Sequence, residues 1–359
     1  MANPYPDENS WWNDYTDRVN TCYGWPTTDD GRFKWFARPG HSIAAGLTAE
    51  VAAEKHLAEL REALGVEAVR PTLSPAQPIS IRDGAFWTAD GQRWWWKFST
   101  DFLLYKRFLD GEDIRPIIWD RLTCGANGFR VALMLHNIAR FYPSDYGDRF
   151  WTELPKFNDL LTSWGCWWEA TVFLDAQQVM PNPSQQLEHW ARYGSTWITT
   201  PAEIPNPFTE LVNEYPKNGV DPSRFNSFPW LICSRGSGLG DAPPYRPGWQ
   251  YFGWHGRRDY PKVTSSTEDM WYVSQGGAWS NEVATYPPMI AVHDEPIGFA
   301  EQAQDGRRSS SPALAATLGA AAKELGQGGT FHSDDGIYSR LYSPRTRSCA
   351  LAFFQGLSP

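Results

Sequence analysis

From Ile79 onward, short apolar runs alternate with segments of helical periodicity, and this alternation restricts the chain more than any other feature of its sequence. A run that stays apolar on both faces of a strand, followed by a crossover long enough for a helix, is what a parallel sheet requires. The segment ISIRDGAFWTADGQRWWWKF reads as a hairpin turning at Ala89-Asp90-Gly91, then a strand ending near Phe98. FLLYKRFL follows as a helix, NGFRVALML (127–135) as a strand, RFWTELPKFNDLLTSWG as a helix closing on Gly165, and WWEATVFLD (167–175) as a third strand. SQQLEHWARYGSTW supplies another helix and FTELVN a fourth strand. PWLICS (229–234), QYFGWH (250–255) and PMIAVHDE (288–295) continue the series. The last crossover, SSSPALAATLGAAAKELGQGG, carries Ser and Pro at its start, Leu314, Leu318 and Leu325 on one face, and a stop at Gly326. GTFHSD (329–334) is then the eighth strand. Eight parallel strands over about 280 residues fit an α/β fold of the (β/α)₈ TIM barrel type.

The N-terminal part has no such rhythm. Residues 1–46 are rich in Pro, Gly, Asp and aromatics without a period, whereas Thr48–Leu64 predicts one helix, with Ala53, Leu57, Leu60 and Leu64 at helical spacing, Thr48 at its start and Gly65 at its end. The Pro-rich PTLSPAQP (71–78) marks the boundary, so the expected organisation is an irregular and helical extension over 1–75 and a barrel over 76–359.

Composition narrows the function. The net charge is −9, and no Lys/Arg block exceeds pairs such as Arg257-Arg258 and Arg307-Arg308, which argues against a nucleic-acid partner. No apolar run is long enough to cross a membrane, and MANPYPDENSWW lacks the basic and apolar regions of a signal peptide. A cytoplasmic protein is expected, or one released by lysis or carried in a virus particle. Cys22, Cys124, Cys166, Cys233 and Cys349 are odd in number and show no CxxC pair, which predicts buried thiols rather than disulfides or a zinc site. The 20 Trp, 15 Tyr and 19 Phe mostly fill the core, and some are expected as flat platforms for the C–H face of a sugar.

In a barrel of this kind the working groups stand where strands end. Those ends offer Asp101, His136 with Asn137, Asp175, Asn213 with Glu214, Ser234 with Arg235, His255, Glu295, and His332 with Asp334. Glu214 and Glu295 close strands four and seven, across one mouth, and a pair of carboxylates is what cleavage of a glycosidic bond needs. One protonates the departing oxygen while the other attacks or activates water. An Asn-Glu dipeptide alone is weak; joined to the strand-two Arg130 and a second Glu after an apolar strand, it becomes specific. SRGSGLGD (234–241) is read as a rim loop, because no long helix follows it to present its N-terminus to phosphate, and HGRRD (255–259) as a solvated or ion-paired loop. His136, His293, His332 and Asp334 show neither HxH nor HExxH spacing, so no metal and no cofactor are expected.

These residues resemble the 4/7 superfamily of retaining glycoside hydrolases: the hairpin and first strand DGQRWWWKFSTDFLL, the Arg in GANGFRV, Asn-Glu in LVNEYPKNG and the lone Glu in MIAVHDEP, over roughly residues 79–335. The resemblance implies Glu214 as general acid/base, Glu295 as nucleophile, Asn213 as ligand of the sugar 2-hydroxyl and Arg130 as support for the ionised nucleophile. His255 stands where that superfamily often places a Tyr or His beside the nucleophile; Asp101, His136, His332 and Asp334 are further substrate-binding candidates. A glycan is the expected partner. Two features depart from the pattern: His332, Ser333, Asp334 and Asp335 occupy the place of the usual aromatic after strand eight, and YPKNGVDPSRFNSF leaves little room for a helix after strand four. The alternative is a non-catalytic carbohydrate-binding or structural barrel, for example a virus-particle component.

Overall fold

A computed structural model describes residues 74–82, 85–213, 218–236, 249–255, 290–294, 312–324 and 328–358, with backbone alone for 252–255, 290–294, 314, 317, 318, 321, 324, 334, 344 and 345. All of them belong to one compact unit, Pro71–Pro359. The helix expected over 48–64, Glu214 and Glu295 lie outside the described residues.

Eight parallel strands close into a barrel. In chain order they are β4 (Lys97–Thr100), β5 (Gly128–Ala132), β6 (Trp167–Phe173), β7 (Phe208–Val212), β8 (Cys233–Ser234), β9 (Tyr251–His255), β10 (Ile290–Asp294) and β11 (Gly328–Phe331). Each pairs with the next, and β11 returns to β4 through Thr330 opposite Phe98. β5 and β7 are buried along their whole length, as strands covered on both faces must be. The eight expected strands are therefore present in the expected order. PWLICS is the shortest, with only Cys233–Ser234 in the ladder.

Ahead of the barrel, β1 (Ile79–Arg82), β2 (Ala85–Thr88) and β3 (Arg93–Trp94) form a small antiparallel sheet. The β2–β3 turn is where the sequence placed it, with Gly91 at a φ of +81° that a side chain would resist. Phe86 and Trp94 from this sheet pack with Trp96, Phe98, Phe208 and Tyr251 at the strand starts and plug the base of the barrel. Trp96 and Phe98 stack at 3.9 Å between centroids. The glycine that opens β5 makes room for them, since a Cβ on Gly128 would sit 2.1 Å from the Phe98 ring.

The helices are α1 (Leu104–Leu109), α2 (Arg115–Thr123), α3 (Pro143–Tyr146), α4 (Asp148–Ser163), α5 (Ala176–Val179), α6 (Pro183–Thr196), α7 (Pro312–Glu324), α8 (Asp334–Tyr338) and α9 (Pro344–Leu357). α1, α4, α6 and α7 match the expected helices, whereas α2, α9 and the short α3, α5 and α8 have no counterpart in the sequence reading. α7 and α9 lie backbone to backbone, because a Cβ on Gly319 would meet the Phe353 carbonyl at 2.1 Å and one on Gly356 the Ala316 carbonyl at 2.4 Å. Between β7 and β8 the described residues hold only a 3₁₀ turn, Pro222–Arg224, capped by Asp221, in keeping with the short crossover. Cys124, Cys166, Cys233 and Cys349 are buried thiols. No helix among the described residues is long and apolar enough to cross a membrane.

Candidate active site

The inner wall of the barrel carries an ionic network. Arg130 on β5 is fully buried, and its register partner on β6 is Glu169. One step round, Thr171 on β6 pairs with Glu210 on β7. Arg130 Nη2 donates to Glu210 Oε2 at 2.6 Å and to Asn213 Oδ1 at 2.9 Å. Arg130 Nε lies 3.3 Å from Glu169 Oε2. Thr171 Oγ1 also donates to Glu210 Oε2, at 2.8 Å. Below them, Tyr251 Oη donates to Glu169 Oε1 at 2.6 Å, and burial pushes that phenol far above its ordinary range, which keeps its proton in place. One guanidinium thus serves two carboxylates, and the pairing offsets part of the cost of burying each ion.

Above this layer, the loops leaving β5, β6 and β7 are tied together. Asp175, at the end of β6 with a left-handed φ of 56°, accepts through Oδ2 from the amides of His136 (3.0 Å) and Asn137 (2.9 Å), and through Oδ1 from Asn137 Nδ2 (2.7 Å). The Asp175 amide donates to Asn218 Oδ1 at 2.7 Å, and Asn218 Nδ2 donates to the Asn213 carbonyl at 2.5 Å. His136 Nδ1 also bonds Tyr142 Oη at 2.6 Å. Asn213 is therefore held three times, by its side chain from the wall, by its carbonyl from the neighbouring loop and by its amide, which donates to the Phe173 carbonyl at 3.0 Å.

A second buried cluster stands behind the end of β4. Arg121 on α2 pairs with Asp101 (Nη2 to Oδ1, 2.9 Å) and with Asp120, which also pairs with Arg347 on α9 and accepts from the Tyr342 amide at 3.0 Å. Ser99 Oγ donates its single proton to Asp101 Oδ2 at 2.6 Å, so in the 2.5 Å contact between Tyr342 Oη and Ser99 Oγ the tyrosine is the donor. Burial pushes the Asp101 carboxyl up, against the pull of Arg121.

The structure thus brings Arg130 and Asn213 into direct contact and sets His136 in the adjoining loop. Asp101 has both oxygens engaged by Arg121 and Ser99, and so braces a strand end. His332, after β11, is buried with its ring 6.0 Å from that of Phe102. His255 closes β9 opposite Asp294, and Asp334 opens α8. Glu214 and Glu295, next in the chain after Asn213 and Asp294, lie outside the described residues. Among the described residues no group of His, Cys, Asp and Glu is placed to hold a metal.

Sequence reasoning missed Glu169, Thr171, Glu210 and Tyr251. The signal was there: a glutamate inside each of the apolar runs WWEATVF and FTELV, with an arginine inside FRVA, is out of place unless the three meet.

No family model matches the chain, and no curated protein matches it in sequence. Solved structures do. A β-glucanase from Saccharophagus degradans aligns with a TM-score of 0.54 at 12% identity, over 82% of this chain and 98% of its own. The same enzyme in complex with cellotetraose gives 0.53 over the same shares. A glycoside hydrolase of family 5 from Bacteroides vulgatus gives 0.52 at 12% identity, over 73% of this chain and 64% of its own. Likeness at this identity is a likeness of fold, and the fold of this chain is the (β/α)₈ barrel that these glycoside hydrolases share.

Proposed function

We propose that the chain hydrolyses β-glycosidic bonds of an oligo- or polysaccharide by retaining double displacement, with Glu214 as acid/base and Glu295 as nucleophile. The observation that carries this reading is the bond from Arg130 to Asn213 at the end of the fourth barrel strand, in a fold shared with β-glucan-degrading enzymes. Arginine has only donors, so Asn213 must turn Oδ1 toward Arg130 and leave its NH₂ to donate to a sugar hydroxyl. Asn213 is also neutral, and a neutral neighbour does not hold Glu214 in its charged form as a cation would. The nucleophile needs the opposite, a site that favours the ion.

The test is hydrolysis of cellotetraose and soluble β-glucan by the wild type, Glu214→Gln and Glu295→Gln, with the anomer of the first product read by NMR. Retention in the wild type and a loss of at least about a thousandfold in both variants are expected, because the nucleophile forms the covalent intermediate and the acid/base serves first as acid and then as base. Inversion would overturn the double displacement. The absence of an aromatic after β11, where His332 and Ser333 stand, favours one other reading, a barrel that binds glycan without cleaving it. Tight binding with no wild-type turnover would select that reading.

A further inference from the structure

We propose that Glu210 is a positioning residue of the site, one that aims the Asn213 amide at the glycan through Arg130; this rests on the glycosidase reading above. Arg130 Nη2 carries two protons, and both are assigned, one to Glu210 Oε2 at 2.6 Å and one to Asn213 Oδ1 at 2.9 Å. The direction of the second bond is therefore set by the first. Glu210 is itself fixed through the same oxygen by Thr171 Oγ1 at 2.8 Å, while its other oxygen, Oε1, is buried and has no hydrogen-bond partner. Every restraint that the carboxylate exerts thus passes through Oε2, toward Arg130. Glu169, held by Tyr251 Oη, stands beside the other edge of the guanidinium at 3.3 Å. The two carboxylates pull on Arg130 from adjacent strands, and weakening one lets the other draw the guanidinium away from Asn213.

Glu210→Gln keeps the outline of the side chain, at the cost of burying an NH₂ where Oε1 has no partner. The amide oxygen can take the place of Oε2 and its NH₂ that of Oε1, so the shape is kept while the charge-assisted bond becomes a neutral one. Hydrogen bonds to the sugar 2-hydroxyl strengthen in the transition state, so a misdirected Asn213 lowers kcat more than it raises KM. Glu210→Gln is expected to lower kcat by about tenfold on 2,4-dinitrophenyl β-cellobioside with KM within about twofold, the loss of roughly one charge-assisted increment. On the analogue lacking the 2-hydroxyl at the cleaved sugar, variant and wild type should agree within about twofold, because the contact being aimed no longer exists. Thr171→Val, which removes the other group on Oε2, should show the same substrate-dependent pattern and serves if Glu210→Gln fails to fold. An equal penalty on both substrates overturns the proposal.

A second readout needs no turnover. The side-chain NH₂ resonances of Asn213, identified by their loss in Asn213→Ala, should shift in both variants, while those of Asn158, bonded to the Pro205 carbonyl and to Trp168 on the outer side of β6, stay in place. Unmoved Asn213 resonances overturn the positioning role. Moved resonances in a protein whose wild type cleaves no glycoside would leave the positioning intact and remove the glycosidase reading alone.

Discussion

Asp120→Asn changes one atom in a cluster that holds the C-terminal helix to the barrel. Asp101 and Asp120 face Arg121 and Arg347, two charges of each sign, all buried. With Asn at 120 the cluster carries one uncompensated positive charge, and the new NH₂ faces a guanidinium. Arg121 keeps Asp101, whereas Arg347 loses its carboxylate and is left with neutral acceptors such as the Thr123 hydroxyl at 2.9 Å. Removing one partner of a buried pair costs about 3–5 kcal/mol. A unit spanning Pro71–Pro359 has an unfolding entropy near 0.6 kcal/mol per degree at about 2.1 cal/mol/K per residue, so the loss corresponds to a Tm lower by roughly 5–8 °C. Thermal melts followed by circular dichroism measure this directly. The companion variant Asp120→Asn/Arg347→Met restores neutrality and should recover at least half of the drop, as a coupled pair does in a double-mutant cycle. A single variant that melts within about 1 °C of the wild type, or a double variant no better than the single, would refute the view that charge balance holds this cluster together.

Gly128→Ala puts a methyl 2.1 Å from the Phe98 ring, which is hemmed in by Trp96, so overpacking should cost about 1–3 kcal/mol, visible as a lower urea midpoint at an unchanged slope. His189, buried among Phe150, Trp151 and Phe173, has its pKa lowered to about 3 by burial and, to a lesser degree, by Arg192. The unfolded chain takes up a proton near 6.5 and the folded chain does not, so stability is complete above 6.5 and falls between 6.5 and 3 by up to about 1.4 kcal/mol per pH unit. His189→Phe should flatten that limb of the pH–Tm curve, and an unchanged limb would remove His189 as its cause.

The barrel was legible because strands buried on both faces leave an unbroken apolar signature, and because Gly165, Gly91 and the Ser-Pro start of α7 punctuate them. α2 escaped, since RPIIWDRLT is buried over most of its surface and presents no apolar stripe to read. Asn213 and Arg130 were recognised as separate motifs, but the bond between them depends on register: Arg130 opposite Glu169 and Thr171 opposite Glu210 set Glu210 and Asn213 on one arc of the wall. Asp101 illustrates the converse. Its place at a strand end was visible, whereas the guanidinium that occupies it comes from α2 and is braced by α9, contacts with no local trace in the sequence.

The ties among Asp175, His136, Asn137, Asn218 and Asn213 bear on how this scaffold can be altered. Loops at the mouth of a barrel are commonly treated as interchangeable cassettes. Here three consecutive loops share one seam, and the residue at its end also bonds Arg130 in the wall. A transplant of any one loop breaks the seam at its middle or its margin and loosens the backbone that carries Asn213. The loops after β5, β6 and β7 form one exchangeable module, and a designer seeking a new specificity has to move all three or rebuild the stitches.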